Sequence, residues 1–164
     1  MGKARAWDPP LEYAEIDRVY RFTTKLLERL GMSEWRVRLL TVPASKGAYA
    51  DIRPLKNTHV GELRLCSSWM AENVEAVRIE TLIHEMVHLT HYRLTGLIAE
   101  DLHEWVGYRV YRDFHPKWEE SIEMWTDHMT QVLLGLMKEE IEEWAAEIWG
   151  LDWRDLPKSV DPDV

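Results

Sequence analysis

Hydrophobic positions recur along this chain at two different spacings, and each change of spacing marks a change of element. In "LEYAEIDRVYRFTTKLLERLGM" the apolar residues Leu11, Ile16, Val19, Tyr20, Leu26, Leu27 and Leu30 follow a helical period after a break at Pro9 and Pro10. The spacing predicts one helix with Gly31 as its C-terminal stop. "EWRVRLLTV" alternates Trp35, Val37 and Leu39 with Arg36 and Arg38, the pattern of a half-buried strand. "KGAYADIRP" alternates less cleanly after a glycine turn, and "THVGELRLCSSW" sets Val60, Leu63 and Leu65 among charged residues. These three stretches predict a small, mainly antiparallel sheet punctuated by Pro43, Gly47 and Pro54. The "GELRLC" strand is expected at the sheet edge, where an extended peptide could add as a further strand.

From Asn73 onward the period is helical again. "NVEAVRIETLIHEMVHLTHYRL" carries Val77, Leu82, Ile83, Val87 and Leu94, and ends before Gly96. "LIAEDLHEWVGYRVYRDF" is a second helical stretch interrupted by Gly107. "HPKWEESIEMWTDHMTQVLLGLMKEEIEEWAAEIW" predicts a long C-terminal helix that starts at Pro116, a residue suited to a first turn, and continues past Gly135 or breaks there. Trp144, Ile148, Trp149, Leu151 and Trp153 are placed to cap the fold or to make a dimer contact. The pattern is that of an α+β protein with one domain over residues 1–156 and a flexible tail at 157–164.

Bulk properties narrow the classes. The 164 residues suffice for one buried core, and 46% apolar with 30% charged residues is the composition of a globular protein. The net charge of −9 argues against nucleic-acid phosphate as partner. One cysteine, Cys66, excludes an internal disulfide and fits a cytoplasmic location. No stretch approaches the roughly 20 apolar residues of a membrane span. The N-terminus lacks the apolar run of a signal peptide, so neither membrane nor export is expected. Oligomeric state is not encoded in any of these features.

The candidate chemistry sits in "ETLIHEMVHLTHYRL". Residues four apart on a helix are about 40° apart around its axis, so His84 and His88 can reach one metal ion from the same face. Glu85 points about 100° round from His84, where it can address a metal-bound water as a base. His-Glu-x-x-His inside an apolar frame would bury polar groups without purpose unless it is a site. A catalytic zinc site takes three protein ligands and leaves a position for water. His91 shares the face, but three ligands from one straight helix seldom fit a tetrahedron, so it is expected at the rim or behind a ligand. The residue six beyond His88 is Leu94, which removes a third histidine at that spacing.

A carboxylate from a later helix is the alternative, with Glu100, Glu104, Glu119, Glu120 and Glu123 as candidates. The apolar stripe of the last helix is Ile122, Trp125, Met129, Val132, Leu133 and Leu136. On a wheel with Ile122 at zero it centres at about 320°, with Glu119 at about 60°, Glu123 at about 100° and Glu120 at about 160°. Glu119 borders the stripe most closely and is expected as the third ligand. Glu123 is the alternative ligand, or the group that orients a histidine N–H.

The order of "WRVR", "AYADI", "GELRLC", "TLIHEMVHL" and "EESIEMW" resembles the small gluzincin-type metallopeptidase-like proteins of bacteriophages and prophages. The resemblance spans about residues 35–134, and His-Glu-x-x-His is its specific part. It implies a zincin-like domain, with the sheet packed on the helix of the motif and further C-terminal helices. Such proteins carry Glu-x-x-x-Asp on the last helix. Here both Glu119-x-x-x-Glu123 and Glu123-x-x-x-Asp127 offer that register. A second resemblance is to SprT-like proteins, which would make His103 the third ligand, although Glu104 and Gly107 depart from the context expected there. The implied activity is zinc-dependent hydrolysis of a peptide or protein substrate, with Glu85 as general base. The rival reading is a zinc-binding regulatory or partner-binding protein without catalysis. His59, His115 and His128 have no spacing to the motif and are expected at the surface.

Overall fold

The computed structural model describes residues 13–40, 42, 44, 45, 48–66, 69 and 75–150. The flexible tail expected at 157–164, with Leu151 and Trp153, lies outside them. The elements are α1 (Tyr13–Arg29), β1 (Arg36–Leu39), β2 (Ala50–Pro54), β3 (Val60–Leu65), α2 (Glu75–Thr90), α3 (Tyr92–Gly96), a π turn (Leu97–Asp101), α4 (Leu102–Val106), α5 (Tyr108–Leu136) and α6 (Lys138–Trp149).

Helix α1 buries Val19, Phe22, Leu26 and Leu27. It ends where Gly31 turns into the left-handed region at φ 72°, open to glycine without strain. The core is shared by this face, by Leu63 and Leu65 of β3, and by Ile79, Leu82, Ile83, Met86 and Leu89 of α2. Helix α6 closes it with Ile141, Ala145 and Ile148. Trp144 and Trp149 pack their rings on Phe22, which is the capping role expected of them. Arg21 and Lys25 pair with Glu147, and Arg29 with Glu140, along the exposed seam of α1 and α6. Such surface pairs each add at most about 1 kcal/mol.

The sheet differs from expectation in two respects. Its order is β1-β3-β2, and β3 pairs antiparallel with β2 but parallel with β1, so the sheet is mixed rather than mainly antiparallel. Strand β3 therefore lies in the centre, and the edge facing α2 is β2, not the "GELRLC" strand. The chain makes a hairpin from β2 to β3, and β3 inserts beside β1 instead of extending the meander. Gly61 permits the close layering of sheet and helix. A Cβ there would come within 2.8 Å of the Ile52 Cδ1 and 3.1 Å of the Leu89 Cδ2 on α2.

The C-terminal helices also depart from the predicted boundaries. Helix α5 begins at Tyr108 and runs through Pro116. The break is Gly107 at φ 77°, ψ 152°, a conformation that glycine adopts and other residues resist. Pro116 deprives the helix of one backbone donor, at an exposed position of the helix. The helix passes Gly135 and ends at Met137, which is buried and turns the chain into α6. Its inward face is Thr126 and Thr130, both buried, while Trp125 and Leu136 of the predicted stripe are 41% and 78% exposed.

Candidate metal centre

Helix α2 presents its motif between two walls. Strand β2 packs on one side and α5 on the other, and the residues of α2 that enter the core hold its orientation. The pairing of α2 with α5 is antiparallel and advances one turn at a time. Gln131 donates to Glu80, Asp127 faces His84, and Glu123 faces His88. Each step of four residues up one helix is four residues down the other.

This register brings three donors together. His84 Nε2 and His88 Nε2 lie 3.0 Å apart, and the two carboxylate oxygens of Glu123 lie 3.5 Å from one ring nitrogen each. Among the described residues, His84, His88 and Glu123 are the group whose donor atoms converge closely enough to hold a metal ion. The spacing suits one. Tetrahedral bonds of about 2.1 Å place neighbouring donors about 3.4 Å apart. The two ring nitrogens face one another at hydrogen-bond distance, where one neutral ring can donate its N–H to the other or both can turn lone pairs to a metal. His84 Nδ1 meets the Asp127 carboxylate at 3.1 Å, which fixes the tautomer that leaves Nε2 free to ligate.

Glu119, the expected ligand, is not brought to the histidines. It lies one turn beyond Glu123, level with the end of α2, and its carboxylate pairs with His115 Nδ1 at 3.5 Å. Its angular position was suitable and its height along the helix was not. His103 is exposed and stacks edge-on against Tyr111, away from the three donors. Glu104 and Glu120 are exposed, and the Glu100 side chain lies outside the described residues. His91 stands beside His88, with Nδ1 bonded to Thr95 Oγ1 at 3.1 Å and Nε2 to Thr126 Oγ1 at 3.3 Å. Both its nitrogens are committed to hydroxyls, so it supports the site from behind and does not ligate.

Glu85 lies against Ile52 of β2 and is 6% exposed. Burial pushes its carboxyl up to about 8, with the charges of Asp51 and Glu123 adding to the rise, while a hydrogen bond from the Ile52 backbone N–H opposes it. Burial pushes His88 down to about 3, with repulsion from His84 and His91 adding to the fall. His91 is lowered too, first by burial. Without a cation the site thus favours a neutral acid and neutral imidazoles, the ligand form of histidine.

These groups open into a cleft of about 790 Å³ between β2 and α5. Three of its lining residues had no motif to mark them. Asp51 is held by Arg64 Nε at 2.5 Å, His115 stands on the α5 wall, and Tyr92 lies at the far end. His115 was expected at the surface. It is placed in the cleft by two helical turns from Glu123, a relation visible only once α5 is known to begin at Tyr108. Comparison of the chain with protein-family models, with curated proteins and with solved structures finds no match.

Proposed function

We propose that this protein is a zinc metallopeptidase of gluzincin type, with His84, His88 and Glu123 as the metal ligands and Glu85 as general base. The observation that supports it is the convergence of two Nε2 atoms and a carboxylate beside a buried glutamate, in an open cleft bordered by a strand edge. A structural metal site needs no base, and Glu85 is buried at a cost only a function repays.

Bound zinc would supply Lewis acidity, lowering the pKa of a coordinated water toward 7. The chain's own residues do the rest. Asp127 holds the His84 ring in its ligating tautomer. Glu85, held by the Ile52 N–H, accepts a proton from the attacking water and returns it to the leaving amine. The peptide itself has a dock in β2. Asp51 and Arg53 pair with β3, so Ala50, Ile52 and Pro54 turn their carbonyls toward the open edge, where the Ile52 N–H is taken by Glu85. Pro54, which has no N–H to lose, is at home there. An extended substrate added along this edge lies over Glu85.

The test is elemental analysis joined to turnover. The zinc-loaded protein should carry about one zinc per chain and cleave members of an unbiased peptide library. Glu85→Gln should keep the zinc and lose cleavage by at least about 10²-fold. Cleavage that survives Glu85→Gln overturns the assignment of the base. Zinc retained by the double variant His84→Ala with His88→Ala overturns the site.

A further inference from the structure

The cleft continues beyond the metal group. Pro54, Tyr92 and Thr95 line both it and a second cavity of about 690 Å³, so the two chambers are neighbours that share a wall. Their charges are opposite. The first is lined by Asp51, Glu80, Glu85, Glu119 and Glu123, and among the described residues no lysine or arginine lines it. The second is lined by Arg53, Lys56 and Arg93, with His59 beside them and Asp101 as its one carboxylate. A local excess of cations on a chain of net charge −9 runs against the composition.

These cations stand on ordered supports. Arg93 lies over the Tyr92 ring, 5.8 Å from its centroid, and its Nε donates to the Tyr92 hydroxyl at 3.0 Å. Tyr92 is in turn seated edge-on against buried Trp35 at 4.7 Å. Arg53 extends from β2 itself, and Glu62, across from it on β3, is paired with Arg38. Lys56 belongs to the β2–β3 turn, which Asn57 closes in the left-handed region at φ 60°. An extended chain lying along β2 past Pro54 arrives at these three side chains.

We infer that the second cavity is a carboxylate subsite, in which Arg53 and Arg93 take an acidic group of the peptide bound along β2. The inference rests on the peptide reading of the neighbouring cleft and adds to it a substrate class: peptides with a carboxylate a few residues to one side of the scissile bond. The carboxylate has two sources, an internal Asp or Glu side chain and a free C-terminus. Arginine pairs with either in forked geometry.

Binding read by fluorescence anisotropy on zinc-loaded Glu85→Gln protein tests this without turnover. Three labelled octapeptides are compared: one with internal glutamates and an amidated end, one neutral with a free carboxylate, one neutral and amidated. One or both of the first two should bind about 10-fold tighter than the third at low salt, and the gap should close in 0.5 M salt as screening shortens to about 4 Å. Which of the two gains identifies the carboxylate. Arg53→Gln with Arg93→Gln should remove the gap, and Lys138→Gln, on α6 and lining neither cavity, should leave it. Arg53→Glu with Arg93→Glu should turn the preference toward a lysine-containing peptide. Equal binding of all three peptides, or an acidic preference that survives Arg53→Gln with Arg93→Gln, overturns the inference. Should wild-type zinc protein cleave no member of the unbiased peptide library while the binding gap persists, the peptidase reading falls and the carboxylate subsite stands.

Discussion

Glu85 sets the base of the proposed reaction against the stability of the fold, and the conflict can be measured. In the unfolded chain its carboxyl titrates near 4.5, and in the fold near 8. Below pH 4.5 both states hold the proton and nothing is lost. As pH rises from 4.5 through 8, the stability that the buried neutral acid contributes is progressively lost, because the unfolded chain gains from ionising first. At about 1.4 kcal/mol per pH unit, the loss at pH 7 is about 3 kcal/mol. Glu85→Gln keeps the shape, offers the Ile52 N–H an acceptor and carries no charge to desolvate. In chelator-treated protein, Glu85→Gln should therefore match wild type near pH 4.5 and exceed it by about 3 kcal/mol at pH 7. For a domain of this size that is a Tm gain of roughly 6–12 °C. The measurement is thermal unfolding by circular dichroism at pH 5, 6, 7 and 8. Added zinc should narrow the gap, since a nearby cation favours the carboxylate. A gap independent of pH, or of opposite sign, would refute the reasoning.

Four further outcomes are expected. Glu123→Gln should weaken zinc more than Glu119→Gln in a competitive chelator titration, with His103→Ala weakest of all. Asp127→Asn should cost about 10–100-fold in zinc affinity, because it frees the His84 tautomer without removing a ligand. In the metal-free wild type the His88 contribution is lost as pH falls from 6.5 toward 3; Glu85 offsets it down to about pH 4.5, so the net loss should show below that, and His88→Gln should flatten that acid limb in the same unfolding experiment. Gly61→Ala should destabilise by about 1–3 kcal/mol in urea unfolding, because its Cβ must displace Ile52 and Leu89.

What could be read in the sequence was what a single element determines. The four-residue spacing of His84 and His88 is a property of one helix, and the structure places both Nε2 atoms together. The α1 face and the three strands were legible for the same reason. The third donor depends on how far α5 slides along α2, and a helical wheel records angle but not height. The wheel's apolar stripe was right in part, since Met129 and Leu133 pack on the core, but it counted exposed Trp125 and Leu136 and missed buried Thr126 and Thr130, whose hydroxyls bond to His91 and to the Thr126 carbonyl of the same helix. Threonines at a helix contact carry no hydrophobic signal. The parallel pairing of β1 with β3 was hidden because alternation reveals a strand and not its neighbour. Gly107 competed with Pro116 for the start of α5, and backbone conformation decided for the glycine.

The stepwise facing of α2 and α5 has one more consequence. Helix α5 carries Glu119, Glu123 and Asp127 at intervals of one turn, a ladder with three equivalent rungs. Slid by one turn, about 5.4 Å, it would offer Glu119 to the histidines and put Glu123 where Asp127 now stands, with a carboxylate kept at both positions. The ligand set is thus written twice on the same helix. The choice between copies is made far from the metal, where Gln131 is bonded to Glu80 and Met137 is locked into the elbow before α6. Site identity is in this sense indexed by the helix's distal end, and a four-residue deletion between Asp127 and Met137 would bring the Glu119–Glu123 copy to the histidines without touching a ligand.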